Sequence, residues 1–285
     1  MSWEKVSFPV LSEAQFVQWQ TLLEERTGMH VAKERLSLLQ SNLIIRMREI
    51  GCLDFDQYYA QVSTKPGGIV EWNVLLDRIM VHETRFYRDP ESLLLFQEFL
   101  VSRIQNDTKN PSLNIWSVGC STGEEPYTLA VLTNEAFLKA HCEPRFGVTA
   151  TDISLPALNK AREGIYNTRK LMDMSQEHVI RYFTQRDKNL FQLNDEIKHK
   201  VCFTMANMVD IEKSPLRNMD VIYCQNVLIY FRKARKHAIL DSLVQCLAPG
   251  GMLVIGQGEA VDWTHSHVSR VENSQTLAFL RHKNF

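Results

Sequence analysis

The chain is predicted to be an α/β protein, a doubly wound, mostly parallel sheet preceded by a small all-helical part. Three observations carry this. Apolar positions recur at helical spacing up to about residue 95, with no period-2 alternation of useful length. From about residue 110, short β-branched and aromatic runs alternate with helical stretches, as βαβ units require. The length of 285 residues suits two domains, at roughly 100–200 residues each.

The elements follow in order. Ser12 is a good N-cap for a run with Phe16, Trp19, Leu22 and Leu23 at helical spacing, closed by Gly28. A second helix is expected over 33–50, with the stripe Leu36, Leu39, Leu43, Met47 and Ile50, and Gly51 ends it. Asp54 can cap a third helix carrying Phe55, Tyr58, Tyr59 and Val62. Lys65-Pro66-Gly67-Gly68 breaks the pattern, and a fourth helix is expected over 71–81. Beyond 110 the expected order is strand 113–118, helix 125–138, strand 146–151, helix 155–164, strand 221–224, helix 233–247 and strand 252–256. A polar stretch around 186–206 reads as a small hairpin-bearing β insertion. The boundary between domains is placed at 95/96, with 82–95 as the linker.

Composition narrows the function. There are 32 Lys+Arg against 33 Asp+Glu, a net charge of −1. A diffuse polyanion binder, including a nucleic-acid binder, is therefore not expected. The longest apolar runs, near 227–231 and 252–255, fall far short of the roughly 20 residues of a membrane-spanning helix. The opening residues carry no export pattern, so a cytoplasmic chain is expected. None of the six cysteines forms a CxxC pair, which leaves them as reduced, mostly buried thiols and gives no reason to expect a metal.

The stretch Ser117-Val-Gly119-Cys-Ser-Thr-Gly123-Glu-Glu125-Pro-Tyr127 follows the first strand and opens a helix. Its small residues let the backbone approach a nucleotide closely. It is neither a phosphate loop nor a dinucleotide fingerprint. Glu124 and Glu125 at the helix start would repel a pyrophosphate and favour a cationic ligand, which turns the reading from a nicotinamide oxidoreductase toward S-adenosylmethionine. Acids matched only to the helix dipole are the alternative. Asp152 ends the second strand, where doubly wound folds hold ribose hydroxyls. It could instead cap the next helix, although Ser154 is better placed for that.

Three stretches together resemble the chemotaxis receptor methyltransferases, the CheR family: 115–132, the Ala150–Ile153 turn, and Tyr223-Cys-Gln-Asn226-Val-Leu-Ile-Tyr230-Phe231. Val81-His-Glu-Thr84-Arg-Phe-Tyr-Arg88-Asp resembles the family's linker motif, and the resemblance runs through nearly the whole chain. It implies a Rossmann-like methyltransferase sheet behind a helical receptor-docking domain, and a protein-glutamate O-methyltransferase. Such an enzyme uses S-adenosylmethionine, releases S-adenosylhomocysteine and needs no metal.

Carried over residue by residue, the resemblance points to His82, Thr84 and Arg88 closing over the cofactor. Gly119 and Glu125 match positions at its methionine part, and Asp152 the ribose position. Asn207 and Met208 match adenine-edge positions, and Asn226 and Val227 lie beside the reactive methyl. Tyr230 is implied near the sulfonium, and Tyr230 and Arg88 are the candidate catalytic side chains. Two departures stand out. His82 takes a position where the family usually has Asn, and Gln225 one where it often has Arg. They keep open a rival reading as a non-catalytic, cofactor-binding signalling module.

The implied partner is the cytoplasmic helical bundle of methyl-accepting chemoreceptors. Residues 33–48 carry four basic side chains against one acidic, within an N-terminal part that is otherwise acidic. Arg35 and Arg46 fall about 20° apart at 100° per residue. Arg35, Arg46 and Arg48 are therefore the expected docking residues, with an ordinary solvated face as the alternative. The short, glycine-free stretch 184–189 predicts independence from a receptor's C-terminal pentapeptide tether. A monomer is the default.

Overall fold

The computed structural model describes residues 10–64, 67–106, 111–260, 262–272 and 275–283. The chain divides into two compact units. One holds the residues up to Val81 together with Tyr230–Arg232, and the other holds His82–Ile229 and the residues from Lys233.

The helical unit contains α1 (Glu13–Thr27), α2 (Leu36–Ile50), α3 (Phe55–Ser63) and α4 (Gly68–Ile79). Ser12 and Gln15 form a reciprocal capping box at α1. Asp54 Oδ1 accepts from Gln57 N at 2.8 Å to cap α3. The apolar stripes bury Trp19, Leu23, Leu39, Leu43, Met47, Tyr58 and Val62 as their spacing requires. Lys65 and Pro66, part of the expected breaker, lie outside the described residues. Helix α4 starts three residues ahead of the expected Glu71, because Gly68 is a packing residue. A Cβ there would stand 2.5 Å from the carbonyl oxygen of Val62 and 2.6 Å from that of Gln61.

A buried ion pair joins α2, α3 and α4. Arg46 Nε and Nη2 donate to Glu71 Oε1 and Oε2 at 2.8 and 2.6 Å, a bidentate fork. Tyr58, fully buried, donates to the same Oε1 at 2.8 Å. Arg46 Nη1 completes the set on Glu49 at 3.0 Å. This corrects the expectation for Arg46. Its angular position beside the apolar stripe turns it inward onto Glu71, so it is spent on the fold of this unit. Arg35, just ahead of α2, and Arg48 on it remain exposed.

The second unit contains α5 (Pro90–Asn106), β1 (Leu113–Val118), α6 (Glu124–Lys139), β2 (Phe146–Asp152), α7 (Leu155–Glu163) and β3 (Ile165–Asn167). It continues through α8 (Gln176–Tyr182), β4 (Phe183–Asp187), β5 (Leu190–Leu193), α9 (Asp195–Lys198), β6 (Val201–Met205) and β7 (Met219–Cys224). It closes with α10 (Lys233–Cys246), β8 (Leu247–Ile255), β9 (Val268–Arg270) and β10 (Leu277–Arg281). Seven strands form one sheet in the order β6-β2-β1-β7-β8-β10-β9. The first five are parallel, and β10 and β9 add an antiparallel edge. The expected doubly wound sheet is present.

Three boundaries differ from expectation, one of them at β8, which starts at Leu247, five residues ahead of the expected 252. Residues 82–95 fall in the second unit, because Phe86 and Leu93 are part of its core. The β insertion is a separate sheet of β3, β5 and β4 that begins at Ile165, while Val201–Met205 pairs with β2 in the main sheet. The β4–β5 hairpin turns on Lys188 and Asn189 alone.

Arg46→Ala leaves the Glu71 carboxylate buried without its fork. It is expected to destabilise the helical unit by about 3 kcal/mol, read as an early transition in chemical denaturation, whereas Arg48→Ala should barely move that transition.

Candidate active site

The carboxyl ends of four adjacent parallel strands, β6, β2, β1 and β7, bring the candidate residues together, at the place where doubly wound sheets bind ligands. Gly119 follows β1 with φ 72, and a Cβ there would run into Val227 Cγ2. Glycine therefore lets the turn after β7 close down on the turn after β1. Ser121 and Asn226 also hold left-handed backbone, at φ 48 and 60, which non-glycine residues adopt only when their surroundings fix it.

Asp152 is buried, and both of its oxygens are occupied. Oδ2 accepts from Ser121 N and Oδ1 from Ser154 N, each at 2.8 Å. Burial raises its pKa against the pull of these two N–H groups. The helix cap is Ser154, whose Oγ accepts from Ala157 N at 3.1 Å, so Asp152 is not needed there. Its carboxylate still has free lone pairs for hydroxyl donors. Its own carbonyl accepts from Ala206 N at 3.0 Å, which holds the end of β6 alongside. Asn207 follows and caps the short helical turn that Met208 begins. His82 Nδ1 lies 3.3 Å from Ser121 Oγ.

Glu124 and Glu125 face different ways. Glu124 is fully buried and pairs with Lys170 Nζ at 3.0 Å and with Thr122 Oγ1 at 2.6 Å. The Lys170 ammonium also donates to the carbonyl of Thr84, so Glu124 anchors the linker. The expected acidic pair at the ligand is therefore Glu125 alone. Burial pushes Glu125 up to about 8, against the hydrogen bond from Ser117 Oγ at 2.7 Å and the nearby Arg88 guanidinium. Arg88 donates to the carbonyl of Glu83 at 2.8 Å and to Asn226 Oδ1 at 3.2 Å. A carboxylate and a guanidinium thus flank a glycine-lined turn. That donor set fits a ligand with an ammonium and a carboxylate at one end, as the methionine part of S-adenosylmethionine has.

The linker is fixed at further points. Tyr87 OH lies 2.8 Å from His178 Nδ1, and Gln225 Nε2 donates to Asp89 Oδ2 at 2.9 Å. Gln225 is thus committed to the linker. Tyr230 belongs to the helical unit, where its carbonyl accepts from His30 N at 2.8 Å and its ring centroid lies 6.0 Å from the Arg35 guanidinium. The structure therefore groups Tyr230 with Arg35, a candidate docking residue. The other candidates, His82, Thr84, Arg88, Gly119, Glu125, Asp152, Asn207, Met208, Asn226 and Val227, all lie in the second unit.

Sequence reasoning passed over Ser121, Lys170 and Glu259. Glu259 sits in Gly256-Gln257-Gly258-Glu259 directly after β8, and an acid in a glycine turn at a strand's carboxyl end was a usable signal. Among the described residues, no helix is long and apolar enough to cross a membrane, and no cluster of three His, Cys, Asp or Glu could hold a metal.

Comparison with known proteins gives two family matches. The model "CheR methyltransferase, SAM binding domain" matches residues 82–278, and "CheR methyltransferase, all-alpha domain" matches 14–80. Among curated relatives is a chemotaxis protein methyltransferase of Klebsiella aerogenes, 31% identical over 87% of this chain and 84% of its own. The one of Salmonella typhimurium is 30% identical, also over 87% and 84%. That of Borreliella burgdorferi is 29% identical over 82% and 83%.

Two outcomes are expected of this site. An ammonium beside Glu125 favours its ionised form, whereas the free protein holds the proton below about 8. Cofactor binding therefore releases a proton below that pH. Affinity should rise with pH by up to about tenfold per unit until about 8, then level off. Calorimetric titration from pH 6 to 9 checks this, and Glu125→Gln should flatten the profile. Gly119→Ala places a side chain against Val227 at a left-handed backbone, with a strain of about 1–2 kcal/mol, and should abolish cofactor binding in the same assay.

Proposed function

The chain belongs to the CheR methyltransferase family, an S-adenosylmethionine-dependent one, and from that premise we propose that it methylates glutamate side chains on the cytoplasmic helical bundle of chemoreceptors. The product would be a glutamyl methyl ester, formed for sensory adaptation. The observation that carries this reading is the pairing of Arg88 with Asn226 beside Glu125, which sets a cation, an amide and a carboxylate around one turn.

When bound, S-adenosylmethionine supplies a methyl group made electrophilic by its sulfonium. Glu125 and Arg88 would hold the ammonium and carboxylate of its methionine part. Asp152 would take ribose hydroxyls, and the Asn207–Met208 turn would meet the adenine edge. Gly119 and Val227 set how closely the two turns approach. Asn226, fixed by Arg88 and at a strained backbone, would line the face where the acceptor arrives. For Tyr230, which stands beside Arg35 in the helical unit, the resemblance implies a part in orienting the acceptor.

The acceptor needs no help to become a nucleophile. A glutamate has an ordinary pKa of about 4.3 and is ionised at neutral pH. The residues therefore have to align two opposite charges and exclude water, and they move no proton. With Arg46 turned inward, the arginines left exposed in this stretch to meet an acidic receptor surface are Arg35, just ahead of α2, and Arg48, about 140° round the helix from it at 100° per residue. The two-residue β4–β5 turn supports independence from a pentapeptide tether.

Incubation with receptor-rich membranes and methyl-labelled cofactor should give label that alkali releases as volatile methanol. Label stable to alkali would point to amine methylation and sink the glutamate assignment. Arg35→Glu with Arg48→Glu should lower receptor methylation about tenfold through the loss of steering and docking charge, with cofactor affinity unchanged. A loss of cofactor affinity instead would refute the docking role.

A further inference from the structure

Glu259 plays no part in the steps above, yet its side chain organises the turn they depend on. It is 2% exposed. Its Oε2 accepts from the backbone N–H of Asn226 at 3.1 Å and of Gly256 at 2.9 Å. Its Oε1 accepts from the N–H of Ile229 at 3.1 Å. One carboxylate therefore takes an N–H from each end of the segment 226–229, which carries Asn226 and Val227. That segment has no strand partner to satisfy these groups, and Asn226 is left-handed. Charge-assisted acceptance from backbone N–H is the strong form of the bond.

We propose that Glu259 is a positioning residue for cofactor binding. Its carboxylate fixes the turn after β7 so that Asn226 meets Arg88 and Val227 meets Gly119. The inference rests on the cofactor site assigned above. The requirement is for a carboxylate in particular. Three donors converge on two oxygens, and a glutamine would turn its amide N–H₂ toward at least one of them. Gly256 enforces the same geometry from the other side. A Cβ on it would press on Glu259 Oε2, lie 2.8 Å from its Cδ and stand 3.2 Å from Asn226 N.

The test is calorimetric binding of S-adenosylhomocysteine to the full chain, with thermal melting in parallel. Glu259→Gln and Gly256→Ala should each weaken binding by about 10–100-fold, the loss of a hydrogen bond to a charged group. Asn226→Ala should weaken it too. Asp241→Ala removes the acceptor of Trp263 Nε1, 2.9 Å away, and serves as a stability control. It should lower the melting temperature and leave affinity within about twofold, below the effect of one such bond. Wild-type affinity in a folded Glu259→Gln overturns the positioning role, and if that variant does not fold, Gly256→Ala decides by the same criterion. Wild-type affinity in Asn226→Ala would instead overturn the site assignment.

Discussion

Four parallel strands deliver the site by ending abruptly, and the turns that end them cannot satisfy their own backbone. After β1 the chain must pass through Gly119 and Ser121, and after β7 through Asn226, all left-handed. Such turns leave N–H groups without a strand partner, and an unpaired donor is costly where the backbone is part-buried. Two buried carboxylates meet that need. Asp152 takes the N–H groups of Ser121 and Ser154, and Glu259 takes those of Asn226, Ile229 and Gly256. The same arrangement raises the pKa of both acids through burial, with the backbone donors pulling the other way.

Much of this was readable in the chain itself. Strand Leu113–Val118 is a short stretch rich in apolar residues whose ends the structure reproduces, and the caps at Ser12, Asp54 and Ser154 follow from short polar side chains before apolar stripes. These are local facts, fixed by a few neighbouring residues. Distant partners were not readable. Arg46 lies beside its stripe at an angle that fits either solvent or interior, and Glu71, twenty-five residues on, decides the matter. Glu124 and Glu125 are adjacent in sequence yet about 100° apart on a helix, so one pairs with Lys170 while the other accepts from Ser117 Oγ. The β insertion was legible only in its hairpin, because β3 has three residues and no alternation to display.

The linker shows how a motif can be placed correctly and its boundary missed. Residues 82–95 are expected to be a linker because Val81–Asp89 resembles the family's linker motif. In the structure they are tied to the second unit by Lys170 at the Thr84 carbonyl, by His178 at Tyr87 and by Gln225 at Asp89. The first of these ties comes from the Glu124 ion pair, so an acid first read as part of a cofactor site holds the strap that delivers Arg88.

Gln225 completes this account. It stands where the family resemblance leads one to expect an arginine. Gln225 is 6% exposed and its amide donates to Asp89, which precedes α5 at φ 60. A neutral donor satisfies that carboxylate oxygen as an arginine would, with less charge to bury. The change therefore falls on how the linker is anchored. His82 is similar, since its ring reaches the hydroxyl of Ser121 with a nitrogen that can donate or accept, as an asparagine amide can. Both departures therefore make hydrogen bonds that hold the linker and the turn after β1 in place.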